Sequence, residues 1–140
     1  MKYFFVILIT FFVISCNSNQ PKPIKLNSEN CEFCKMTIAN GKFGAELITT
    51  KGRYYKFDDV ACMLQYAKSN QVMVKMFFVN DYLKENELIP VEKSFFLKGG
   101  TISSPMRGNI ATFSTSKEQK EFQAKLNAEA MTWEQVYNSY

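Results

Sequence analysis

"FGAELITTKGRYYKFDDVACMLQYAKSNQVMVKMFFV", residues 43–79, carries the signals that decide the fold class. Two β-rich runs, Ala45 to Thr50 and Arg53 to Phe57, flank Lys51-Gly52. A two-residue, Gly-containing link between such runs predicts a hairpin. Asp58 or Asp59 then stands where a helix N-cap belongs, because a short carboxylate accepts from the free N–H groups of a first turn. Val60, Met63, Leu64 and Ala67 follow at i, i+3, i+4 and i+7, which predicts a helix over 59–69. "QVMVKMFFV" (71–79) is apolar on both alternating faces, the pattern of a strand in the middle of a sheet. The stretch reads β-β-α-β.

Working outward towards the C-terminus, "NDYLKENELIP" is a charged link. A second set then begins. "KSFFLKGG" is a strand ending in glycines, "TISSPMRG" a loop, and "NIATFSTS" another strand. Ser116 and Gln119 fit a capping box. "KEQKEFQAKLN" is an exposed helix with Phe122 and Leu126 facing inwards, and Thr132 and Gln135 cap a short terminal helix, "WEQVYNSY". "YYKFDDVACMLQYA" and "IATFSTSKEQKEFQAKL" share one order of strand, phenylalanine, capping residue and helix, as an internal duplication would. The class is α+β, a largely antiparallel sheet with helices on one side.

Towards the N-terminus the chain opens with Met1-Lys2 and an apolar run from Tyr3 to Ile14, the layout of a secretory signal. The run falls short of the roughly 20 apolar residues of a spanning helix. It exits through Val13-Ile14-Ser15-Cys16, which resembles a bacterial lipobox. The expected organisation is a signal peptide over 1–15, a lipidated Cys16 opening a polar tether over 16–30, and a domain over 31–140. Such a chain is held on a membrane of the bacterial cell envelope by its lipid, facing the periplasm or the surface. The net charge of +4 includes no basic run, so there is no footprint for nucleic acid.

With Cys16 lipidated, three cysteines remain, Cys31, Cys34 and Cys62, and the chain has no histidine. An odd thiol count outside the cytosol points to a free thiol or a metal site. Two of the three lie in "CEFCKM", residues 31–36. A redox C-x-x-C would open a helix after a buried strand, so that the helix N-terminus acidifies the first thiol; here a polar, Pro-containing stretch precedes it. A zinc site needs four ligands, and three thiols reach four only with a carboxylate or a second chain. Covalent haem attachment calls for a histidine where Lys35 stands. A disulfide pinning the first turn, with Met36 in the core, is the bland alternative. The remaining reading is Cu(I), which soft thiolate and thioether ligands select. Cys34 and Met36, at i and i+2 of an extended segment, would share a face. Cys31 or the loop residue Met106 would supply a third sulfur. Cys62 points away from the apolar stripe of its helix and reads as a small buried residue or as an extra thiol near the site. Asp58 and Asp59 have no base or nucleophile signature beside them.

The ordered series "VISC", "CEFCKMTI", "GAELITTKGRYYKFDD" running into "VACMLQYA", "FFVNDYL", "FFLKGG", "SPMRGNIATFST" and "TWEQVY" resembles the NosL family, the lipoproteins that accompany nitrous oxide reductase. The resemblance implies a Cu(I)-binding chaperone rather than an enzyme. Its partners would be nitrous oxide reductase, whose copper centres it supplies, and the associated membrane transporter complex. It implies a fold of two similar ββαβ units, related to organomercurial lyase. It places the metal ligands on Cys34, Met36 and Met106, with Cys31 at a position that only some members share. Where other members are suspected of using a histidine, this chain has none. The alternatives to a copper carrier are an envelope thiol-disulfide oxidoreductase and a structural lipoprotein with a disulfide.

Overall fold

The computed structural model describes residues 19–140; the expected signal peptide and the lipidation at Cys16 lie outside the described residues. Strands β1 (Ala45–Thr49) and β2 (Tyr54–Phe57) form the expected antiparallel hairpin, with Ala45 opposite Phe57 and Ile48 opposite Tyr54. Gly52 sits in the turn at φ +79°, a conformation that costs a side-chain-bearing residue a steric clash. Helix α1 (Val60–Ser69) follows, capped by Asp59, whose side chain accepts from the Ala61 N–H. Strand β3 (Val74–Asn80) returns antiparallel beside β1. Part of the expected charged link is itself a strand, β4 (Leu88–Pro90), paired with β3, so β3 is interior as its two apolar faces require.

The second unit repeats this plan with β5 (Phe95–Lys98), β6 (Ile110–Phe113), α2 (Ser116–Leu126) and β7 (Glu129–Met131). The sheet orders are β2-β1-β3-β4 and β6-β5-β7. In both units the first strand is flanked by the second on one side and by the strand after the helix on the other, and every pairing is antiparallel. The capping box of α2 lies one residue earlier than the sequence suggested, on Thr115 and Glu118. The box of the short α3 (Trp133–Asn138) is on Thr132 and Gln135 as expected.

Side-chain alternation along β5 and β6 divides the interior into two cores. Phe96 and Ile110 face a core shared with Leu47, Phe57, Val79, the buried side of α1 and Val136 of α3. Leu97, Ala111 and Phe113 face the other way, beneath Phe122 and Leu126 of α2. The outer face of the first sheet is covered by residues 19–30, the described part of the expected tether. The Lys22 N–H donates to Glu46 Oε1 (2.9 Å), Tyr54 to the Gln20 carbonyl (3.1 Å), and Lys56 Nζ to the Pro23 carbonyl (3.0 Å) and the Glu29 carboxylate (2.8 Å). Ile24 is buried in the same layer. Among the described residues no helix is long and apolar enough to cross a membrane.

Candidate metal centre

The C-x-x-C segment is the tip of a small irregular hairpin. The Asn27 N–H donates to the Ile38 carbonyl (2.8 Å), Ile38 N–H to Glu29 (2.9 Å), and Cys31 N–H to Met36 (2.8 Å). A fourth bond, Lys35 N–H to the Cys31 carbonyl (2.9 Å), closes the tip. Another, Glu32 N–H to the Lys56 carbonyl (2.8 Å), fastens it to β2. Lys35 takes a left-handed backbone, φ +65°. The chain therefore turns between Cys34 and Met36, and the shared face expected of an extended segment does not form. Cys31 is buried and Cys34 half-buried, while Met36 is 57% exposed.

The hairpin tip meets the junction between β2 and α1. There Asp58 precedes the helix and Cys62 lies in its first turn, both buried. The Sγ atoms of Cys31, Cys34 and Cys62 and a carboxylate oxygen of Asp58 all lie within 4.8 Å of one another. Metal–thiolate bonds are about 2.3 Å long, so two ligands on opposite sides of one ion stand about 4.6 Å apart. The cluster is thus close to the size of a single metal's ligand shell. All three cysteines are free thiols, and Cys34 Sγ donates to Asp58 Oδ1 at 3.5 Å.

The three thiols differ in acidity. A hydrogen bond from the Cys62 thiol, helped by backbone N–H groups of Cys34, Asp58 and Phe33, outweighs burial and lowers Cys31 to about 6. Burial, then the neighbouring Cys31 and Asp58 charges, raise Cys34 to about 11. Cys62 is pushed up as the donor to Cys31, and burial adds to the shift. The cluster thus sets one thiolate, Cys31, against the Cys62 thiol that donates to it, with the Cys34 thiol turned to Asp58.

Met106 lies in the loop between β5 and β6, 39% exposed. Its N–H donates to Asp59 Oδ2 at 3.0 Å, so the loop is anchored one residue along the chain from Asp58. The family model that matches the chain is NosL, over residues 23–140. The chain belongs to the NosL family. A solved structure described as the copper chaperone NosL from Shewanella denitrificans has the same fold. It superposes with a TM-score of 0.72 at 20% identity, covering 82% of this chain and 93% of that one. No curated protein sequence gives a match.

The expected site residues sort by position. The structure joins Cys31 and Cys34 in one cluster, and it sets Met36 and Met106 at exposed places whose backbones bond to Cys31 and Asp59. It adds Cys62 and Asp58. Cys62 left a trace in the sequence, since it sat off the apolar stripe of α1 and still had to be accounted for. Asp58 left none beyond its pairing with the capping Asp59.

Proposed function

We propose that this NosL protein is a Cu(I) carrier that takes the ion on Cys31, Cys34 and Cys62, with Met36 and Met106 as the outer sulfurs. The observation that carries this is the convergence of three free thiols from two distant segments. A shell dominated by sulfur favours a soft monovalent ion, and Cu(I) is satisfied with two or three ligands. The arrangement is graded: two exposed thioethers, one half-buried thiol, two buried thiols. Transfer would run by exchange at the exposed end. A recipient's ligand bonds to the ion as the Cys34 thiolate leaves and regains a proton. The ion stays Cu(I) throughout, so no oxidant or reductant is needed. The recipient we infer is nitrous oxide reductase, served through its membrane transporter complex. The carrier would be held on the envelope membrane by lipid on Cys16. The family membership supports this client, and the lipobox supports the anchor.

A second reading rests on Asp58. It supplies the carboxylate that a Cys3Asp zinc site would need as its fourth ligand. Anaerobic titration separates the two. Cu(I) is added against a chromogenic Cu(I) chelator, and Zn(II) against a zinc dye, for the wild type, Cys34→Ser and Asp58→Asn. A copper carrier binds one Cu(I) tightly, loses it in Cys34→Ser and keeps it in Asp58→Asn. Failure of the wild type to compete for Cu(I), with tight Zn(II) binding that Asp58→Asn weakens, would replace the copper reading by the zinc one.

A further inference from the structure

Asp59 does more than a helix cap requires. Capping α1 uses one oxygen, Oδ1, which accepts the Ala61 N–H at 2.9 Å. The other, Oδ2, collects three donors from one distant loop: the Ser104 hydroxyl (2.6 Å), the Met106 N–H (3.0 Å) and the Gly108 N–H (3.3 Å). Asp59 is only 1% exposed, so these bonds form away from water, where a carboxylate's bonds count most. Gly108 permits the approach, because a Cβ there would run into Asp59 Oδ1. Ser104 is itself braced by the Asn109 N–H, which donates to its Oγ at 2.7 Å. The Tyr140 hydroxyl donates to the Gly108 carbonyl at 3.3 Å, closing the loop's far side.

The second unit shows what a cap alone looks like. Thr115, at the equivalent place after Phe113, spends its hydroxyl on the Glu118 N–H within its own helix. Asp59 instead joins the two units. On one side is the helix that brings Cys62 to the thiol cluster. On the other is the loop that carries Met106.

We propose that Asp59 is a positioning residue for the cargo site: it holds the 104–108 loop at the start of α1 so that the Met106 thioether stands ready beside the three thiols. This rests on the cluster being a Cu(I) site. Asp59→Asn is the informative change. Asparagine caps a helix as well as aspartate does, so α1 keeps its start, but a neutral amide cannot receive all three loop donors.

The test is a double-mutant cycle on the full chain, read as Cu(I) affinity in competition with a chromogenic chelator. Asp59→Asn is expected to weaken binding about tenfold, a coupling usual for residues that act through one contact network. Met106→Leu should weaken it similarly, and Asp59→Asn added to Met106→Leu should weaken it no further. In the metal-free protein, Asp59→Asn should also speed hydrogen exchange at the Met106 and Gly108 amides while leaving that of the α1 interior unchanged. Ser104→Ala removes only the shortest bond and gives a milder form of both effects, should Asp59→Asn fold poorly. Equal losses with and without Met106, or loop amides that stay protected, would overturn the proposal alone. A wild-type chain that does not compete for Cu(I) would overturn the carrier reading and this proposal together.

Discussion

Cys31 is the one thiol of the cluster whose acidity is raised, and on the proposed loading with Cu(I) this fixes how many protons leave. Its lowered value, about 6, makes it a thiolate at neutral pH, while Cys34 at about 11 and Cys62 above its ordinary range remain thiols. Binding one Cu(I) through all three sulfurs near pH 7.5 should therefore release about two protons. Loading in weak buffer with a pH indicator counts them, and a release of three would mean that Cys31 is not preionised. Glu46 titrates in the opposite sense. It is fully buried, with Oε1 on the Lys22 N–H and Oε2 without a partner. Burial raises it to about 7 from 4.5. A raised carboxyl contributes stability that is complete below pH 4.5 and is lost as pH rises through 7. Glu46→Gln should remove that loss, gaining roughly 1–2 kcal/mol on the wild type between pH 5 and pH 8 once partial screening is allowed for, as urea unfolding at both pH values would show. The thiols were only partly legible in the sequence. Cys31 and Cys34 announce themselves by spacing. Cys62 and Asp58 reach them only because the hairpin tip is fastened to β2, and the Cys34–Asp58 contact spans 24 positions that no local pattern reports.

Elements were legible where periodicity was long and ambiguous where it was short. The residues from Ala45 to Asn80 fold nearly as the alternation and the i, i+3, i+4, i+7 stripe require. Strands β4 and β7 were missed because three residues, "LIP" and "EAM", carry no alternation; each forms only because a longer strand offers it an edge. The box of α2 slipped by one because "TSKEQ" satisfies the capping pattern twice, at Thr115 with Glu118 and at Ser116 with Gln119. The end of β6 at Phe113 selects the earlier. Turns between elements allow a sharper test. Gly52 and Gly100 both have positive φ, +79° and +59°. A Cβ on Gly52 meets open space, whereas one on Gly100 would collide with the Leu126 and Asn127 backbone at the end of α2. Gly52→Ala should cost about 1–2 kcal/mol, the left-handed penalty alone. Gly100→Ala should cost about 1–3 kcal/mol beyond that from overpacking. Chemical denaturation of both variants checks the order. Equal costs would mean that α2 yields freely to the loop that leads to Met106.

At the scale of the molecule, two units of one topology carry one site, and the difference lies in a few side chains on a shared frame. Phe57 and Phe113 end the corresponding strands. Asp58, Asp59 and Cys62 in the first unit stand where the second has Ser114, Thr115 and Glu118. The second unit uses these positions to stabilise its own helix; the first turns them towards the thiols and the Met106 loop. The core around the cluster is built from Ile38, Leu47, Phe57, Met63, Leu64, Val79 and Phe96, and Cys31 and Cys62 pack in it as small buried residues. A structural zinc module, by contrast, obtains its folding energy from its metal and unfolds under chelation. Stripping this protein with a strong Cu(I) chelator should therefore leave its far-UV circular dichroism and cooperative unfolding intact. Reloading, with free Cu(I) held at a hundred times the dissociation constant, should add about 2.7 kcal/mol. Collapse of the fold on stripping would assign the cluster a structural role. Persistence is what a carrier needs, since its surface must still fit the donor after the ion has gone.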